Sequence, residues 1–123
     1  MSAKVPAYRM ISGPSDVVLA HVAKPGAFGL DASRQEEIEN CLLGLVPPDV
    51  DRRGIRTRTF VTTDRVPSKA IIKATRRFAP DLVVMAGQGE TARHRGDSGK
   101  TTDEVVSRSP KPILVVPLLP KVA

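Results

Sequence analysis

The sequence predicts an α/β fold, in which an open parallel sheet is flanked by helices. Short apolar runs such as Leu82 to Met85 have the length and composition of strands that are buried on both faces. These runs alternate with segments of helical periodicity, and such alternation is typical of right-handed βαβ units. Because only 3% of the residues are aromatic, the core must be aliphatic, which suits a parallel sheet.

The predicted elements follow the order strand, helix, strand, helix, strand, helix, strand. A short amphipathic segment of uncertain type, residues 4–12, precedes them. The length of 123 residues is that of a single domain, residues 1–123. The strands are expected at residues 16–22, 55–62, 81–86 and 113–116, and the helices from Ser33, from Pro67 and from about Lys100 to Arg108.

The first helix has a predicted start and a predicted buried face. Ser33 and Glu36 have the spacing of a capping box. Apolar residues then recur at i, i+3, i+4 and i+7, namely at Ile38, Cys41, Leu42 and Leu45. Cys41 is therefore expected in the core, since a reactive thiol needs an exposed, electropositive position.

The second strand and the second helix are predicted to carry charge on one face. Arg56 and Arg58 share a face of the strand, which favours a position at the edge of the sheet. Pro67 suits the first position of the helix that follows. The apolar stripe of this helix is expected to consist of Ile71, Ala74 and Phe78.

The formal net charge of +6 is concentrated in residues 52–77, which contain nine basic residues and one acid, Asp64. This region is either a surface for nucleic acid or another polyanion, or the solvated faces of a strand and a helix. The second alternative is favoured because aromatic side chains for base stacking are nearly absent. The basic residues are Arg52, Arg53, Arg56, Arg58, Arg65, Lys69, Lys73, Arg76 and Arg77.

The composition argues against several classes of protein. No apolar run approaches the roughly 20 residues that span a bilayer, and residues 1–15 lack the apolar core of a secretory signal. The single cysteine cannot form a disulfide within the chain, so a reducing cytoplasm is expected. His21 and His94 lie far apart in sequence, and we expect no metal site.

The stretch from Pro80 to Val106 is the predicted functional region. A strand, a glycine-rich loop and the start of a helix follow one another there, as in the phosphate-binding turns of parallel α/β folds. A P-loop is excluded by spacing. Gly99-Lys100-Thr101 would need a glycine at position 94, where the chain has His94.

A wider glycine spacing resembles that of the universal stress protein family. From Ala86, two residues lead to Gly89 and nine more lead to Gly99. The nucleotide loop of the family is written as Gly, two residues, Gly, nine residues, Gly and then Ser or Thr. Ala86 stands at the first glycine of that pattern, and Lys100 stands at the Ser or Thr position.

Other parts of the chain are similar to the same family. His21-Val22 resembles the end of its second strand, residues 66–87 its third helix and fourth strand, and residues 108–117 its final strand. The likeness covers about residues 10–117. It implies a Rossmann-like sheet of the adenine nucleotide alpha hydrolase-like type, with five parallel strands in the order 3-2-1-4-5.

The resemblance also implies a ligand and a partner. The ligand is ATP or another adenine nucleotide, and the partner is a second copy bound through Ile113, Leu114, Val115 and Val116. Carried over to this chain, Val22 would touch the adenine. Met85, Ala86 and Gly89 would lie along the ribose and phosphates, and Gly99, Lys100 and Thr101 would hold the phosphates.

The N-terminal part of the family pattern is short in this sequence. Residues 4–12 resemble only the tail of the first helix, and neither the first strand nor its Asp-containing turn has an equivalent. Two explanations are open. The chain is a truncated reading of a longer protein, or strands 2 and 4 of the family order pair directly.

We therefore expect a cytoplasmic stress-response domain that binds an adenine nucleotide without efficient catalysis. It is not expected to be an enzyme, because no motif places a base that could activate water. One alternative is a dimerisation module whose glycine loop binds no nucleotide. Another is a nucleic-acid binder that uses residues 52–77.

Overall fold

The computed structural model describes residues 6–26, 30–86 and 100–116. Their strands and helices follow the predicted order, which is confirmed. A 3-10 helix, Pro6–Met10, comes first. The remaining elements are β1 (Ser15–Ala23), α1 (Ala32–Leu43), β2 (Ile55–Thr63), α2 (Pro67–Phe78), β3 (Val83–Ala86), α3 (Lys100–Arg108) and β4 (Ile113–Val116).

The described residues form two compact units that divide after Arg65. The first unit contains a two-stranded parallel sheet, in which β1 pairs with β2 from Ser15 opposite Ile55 to Ala23 opposite Thr63. The second unit contains another two-stranded parallel sheet, formed by β3 and β4. Each described strand therefore has its ladder partner within its own unit. These pairings are the neighbours 3-2 and 4-5 of the order that the resemblance implies.

In the first unit, the N-terminal segment is held against the sheet by polar contacts. Tyr8 is only 1% exposed, and its hydroxyl lies 2.7 Å from Thr57 Oγ1. Arg53 Nη2 donates hydrogen bonds to the carbonyl oxygens of Tyr8 and Ile11 at 2.6 and 2.7 Å. Arg53 thus has an internal role, although the sequence placed it in the basic region.

The start and the buried face of α1 differ from the prediction. Asp31 is the N-cap residue, and its Oδ1 accepts a hydrogen bond from the Arg34 amide at 2.7 Å. Ser33 lies inside the helix, so the capping box predicted there is wrong. Cys41 is exposed, and its predicted place in the core is also wrong. Within its unit α1 packs on β2, and a sheet of two strands about 5 Å apart is too narrow to cover the whole apolar face.

The second unit is organised by the packing of α2 against α3. The buried residues of α2 are Ser68, Ala70, Ile72 and Thr75. The predicted stripe of Ile71, Ala74 and Phe78 is half-buried and lies between these residues around the helix, so the inward face is wider than predicted. The polar members of the inward face are hydrogen-bonded. Thr75 Oγ1 donates to the Ile71 carbonyl oxygen at 2.8 Å, and Ser68 Oγ donates to Glu104 Oε2 of α3.

Candidate functional site

The candidate site of the second unit lies where β3 ends and α3 begins. Met85 and Ala86 are the last residues of β3, and in the parallel ladder they lie opposite Val115 and Val116 of β4. The carboxyl ends of both strands therefore share one edge of this sheet. Ligands in open parallel sheets bind outside that edge. The structure thus supports the predicted position of Met85 and Ala86 at a strand end.

The start of α3 presents the features that favour an anion. Lys100 is its first residue and is exposed, and Thr101 is half-buried. The first four N–H groups of an α-helix have no partner within the helix, and the helix dipole places partial positive charge there. Asp103, in the same turn, opposes that charge. Lys100 forms no ion pair with a described residue. Its ammonium charge therefore compensates for the negative charge of Asp103 at the start of the helix.

Glu104 has a role that the sequence did not indicate. Its Oε2 accepts a hydrogen bond from Ser68 of α2. Ser68 is 2% exposed. This bond fixes the first turns of α3 against α2 and so positions the candidate phosphate end. The sequence feature that could have indicated this contact is a serine in the first turn of α2, on the same face as Ile72.

The predicted site residues are distributed over both units and over the part of the chain outside the described ranges. Val22 belongs to the first unit, where it is half-buried in β1 opposite Thr62. Met85, Ala86, Lys100 and Thr101 belong to the second unit. Gly89 and Gly99 lie outside the described residues. The described part of the site therefore consists of the strand end and the helix start.

The described ranges contain neither a candidate metal site nor a candidate membrane span. No group of three or more His, Cys, Asp or Glu side chains among these residues could hold a metal ion. Likewise, none of the described helices has both the length and the apolar character needed to cross a membrane.

Comparison with known proteins identifies the class. The model of the universal stress protein family matches residues 14–117. The chain belongs to that family. The resemblance seen in the sequence is thereby confirmed, and its extent agrees closely with the predicted 10–117.

Solved structures with the same fold include two described as hypothetical proteins. Protein MJ0577 superimposes with a TM-score of 0.65 at 16% identity, over 90% of this chain and 100% of that one. Protein PH0823 gives a TM-score of 0.66 at 19% identity, over 96% of this chain and 91% of that one. A search of curated proteins found no match. The predicted fold class, a Rossmann-like arrangement of parallel strands with flanking helices, is confirmed.

Proposed function

We propose that this universal stress protein domain binds an adenine nucleotide, such as ATP, at the end of β3 and the start of α3. The observation that carries the proposal is the position of Lys100. It is exposed at the first residue of α3, where a helix N-terminus already favours phosphate. As a point charge, a lysine can serve a phosphate without the fixed geometry that an arginine fork requires.

The domain is proposed to bind the nucleotide and not to turn it over efficiently. Of the carboxylates near the start of α3, Glu104 accepts a hydrogen bond from Ser68. Asp103 is exposed in the first turn, where it faces water. Neither carboxylate is therefore proposed to act as a general base on the phosphates. We propose the cytoplasm as its compartment, because the single cysteine cannot form a disulfide within the chain.

Calorimetric titration of the protein with ATP and with inorganic tripolyphosphate tests this proposal. Measurable heat with both ligands is expected, because the described part of the site addresses the phosphates. Replacing Lys100 with Gln should weaken ATP binding about tenfold, the cost of losing one charge-assisted hydrogen bond of about 1.4 kcal/mol.

The matched control is Lys111→Gln, which removes the same charge from the segment before β4. Lys111 lies outside the proposed site, so this variant should bind ATP like the unaltered protein. The absence of heat at millimolar ATP, or an equal loss of affinity in both variants, would contradict the proposal.

A second proposal concerns assembly, and an exposed apolar strand favours it. Val115 is 40% exposed in β4, and β3 is the one ladder partner of β4 among the described residues. We propose that the strand Ile113–Val116 pairs with a second copy of the chain. An edge strand with apolar side chains is a ready template for such pairing.

Sedimentation velocity across micromolar concentrations tests the assembly. Val115→Lys should convert a dimer into a monomer, because a lysine at an edge strand opposes strand pairing. The control is Val106→Lys in α3, since Val106 is also an exposed valine, at 52%. A monomeric unaltered protein, or dissociation by both substitutions alike, would remove the proposal.

A further inference from the structure

We propose that one face of α2 binds the phosphate backbone of a duplex nucleic acid, independently of the nucleotide site. This basic face consists of Lys69, Lys73, Arg76 and Arg77, all of which are exposed. They occupy positions i, i+4, i+7 and i+8 of the helix. At 3.6 residues per turn, the four side chains fall within an arc of about 100°.

Two arginines of the basic region outside α2 have partners in the first unit. Arg53 is engaged by backbone carbonyls, and Arg56 Nε is paired with Asp16 Oδ1 at 3.0 Å. By contrast, the side chains of Lys69, Lys73 and Arg76 form no ion pair or hydrogen bond with any residue of the described ranges. Their charges are therefore directed to solvent or to a partner.

Helix stability does not explain the whole face. Arg76 and Arg77 lie in the last turn of α2, where positive charge suits the helix dipole. Lys69 lies at the third residue, and the first turn contains no acid. Positive charge is unfavourable there. Lys69 therefore lies near the positive end of the helix dipole without an acid in the first turn to offset it. Binding to an anionic partner accounts for a lysine at this position.

The shape of α2 indicates the kind of anion. Its opposite face is buried through Ser68, Ile72 and Thr75, so α2 has no apolar face to insert into a membrane. From Lys69 to Arg77 the helix rises about 12 Å. A duplex presents one phosphate charge per roughly 1.7 Å of its axis, or about seven charges over that length. The charges of the face and of a duplex are therefore complementary.

A duplex fits the basic face better than a single strand does. Proteins that bind single strands stack the bases on aromatic rings. Phe78, the ring beside the face, is half-buried, and the Arg77 guanidinium carbon lies 5.2 Å from its centroid. The ring is thus covered by the protein itself. Recognition then rests on phosphates alone and carries no sequence preference.

Fluorescence anisotropy with a short labelled DNA duplex, over a range of potassium chloride concentrations, tests the proposal. Four phosphate contacts predict that the logarithm of the binding constant falls with the logarithm of salt concentration with a slope of about −3.6. A slope weaker than about −1, or no binding at low ionic strength, would overturn the proposal.

Two triple variants with equal net charge separate the face from the overall charge. The first replaces Lys69, Lys73 and Arg76 with Gln, and the slope should weaken by about 2.7, three contacts at 0.9 each. The control replaces the exposed residues Arg9, Lys24 and Arg34 with Gln. It should keep the slope of the unaltered protein.

Other anionic partners give distinguishable results. Equal losses in both triple variants would show that only net charge acts and would overturn the assignment to α2. Suppose that the unaltered protein binds no duplex but sediments with vesicles rich in anionic lipid, and that the first variant no longer does so. That result would assign the face to a membrane surface instead. Nucleotide titration of the first variant should be unchanged, so this proposal and the proposed function fail independently.

Discussion

Arg53 shows how much of the charge in this chain serves its own structure. Its guanidinium group donates to the carbonyl oxygens of Tyr8 and Ile11 and lies 4.0 Å from Asp49. Neighbouring arginines are indistinguishable from it in sequence, because a residue code contains no information about which carbonyl oxygens lie nearby. The basic region could be predicted from the sequence, but the roles of its individual members could not.

Tyr8 provides a direct measure of the contact between the 3-10 helix and β2. Tyr8→Phe removes the hydroxyl that lies 2.7 Å from Thr57 Oγ1. We expect the free energy of unfolding to fall by about 1 kcal/mol, the usual net value of one hydrogen bond. Urea denaturation followed by circular dichroism measures it.

The double variant Tyr8→Phe with Thr57→Val supplies the control. Because each single change removes the same bond, the loss in the double variant should be smaller than the sum of the two single losses. Strict additivity would show that the two hydroxyls do not interact.

The backbone conformation at residue 54 requires a glycine. Its φ of 72° lies in the left-handed region, and an added Cβ would lie 3.4 Å from Pro14 Cβ. Gly54→Ala should therefore lower the free energy of unfolding by about 1–2 kcal/mol. The same denaturation experiment measures this loss.

Gly13→Ala is the matched control for Gly54. No atom lies within 4 Å of a Cβ added at Gly13, and Gly54 is the one glycine with positive φ among the described residues. The control should change the stability by less than about 0.5 kcal/mol. Similar losses at both glycines would contradict the account of this turn.

At the scale of elements, the sequence predicts existence and order better than it predicts faces. The final strand has its predicted bounds, and α3 begins at Lys100 as expected. The inward face of α2 is wider than the predicted stripe because it includes Ser68 and Thr75, and hydrophobic periodicity assigns such polar residues to solvent. Only their hydrogen-bond partners, which lie in a folded structure, make their burial favourable.

The bond between Ser68 and Glu104 is expected to stabilise the packing of α2 against α3. Ser68→Ala removes the donor from a half-buried carboxylate. We expect the free energy of unfolding to fall by about 2 kcal/mol, because a hydrogen bond to a charged group contributes more to stability than one between neutral groups. Amide hydrogen exchange along α3 should also accelerate, which urea denaturation alone would not reveal.

Ser107→Ala is the control on α3, since the exposed Ser107 hydroxyl donates only to the Asp103 carbonyl oxygen in its own helix. It should leave both measurements within about 0.5 kcal/mol of the unaltered protein. If Ser68→Ala behaved like this control, Glu104 would not depend on Ser68 for its position.

At the scale of the whole molecule, the family could be identified from glycine spacing together with the order of strands and helices. The match over residues 14–117 shows that these features, weak individually, are specific as a set. The candidate site was predicted less completely. Met85, Ala86, Lys100 and Thr101 lie at a strand end and a helix start as expected, whereas Gly89 and Gly99 lie outside the described residues. Outside the site, the exposure of Cys41 could not be predicted, because it depends on how little surface covers α1.

Phosphates are proposed to bind between the end of β3 and the start of α3. An NMR titration of the ¹⁵N-labelled protein with ATP, with adenosine as the comparison, tests this claim most directly. We expect ATP to produce its largest amide shifts at Lys100 and Thr101, with smaller shifts at Met85 and Ala86, and adenosine to leave the α3 amides unchanged. An unchanged spectrum at millimolar ATP, or shifts that avoid the start of α3, would contradict the claim.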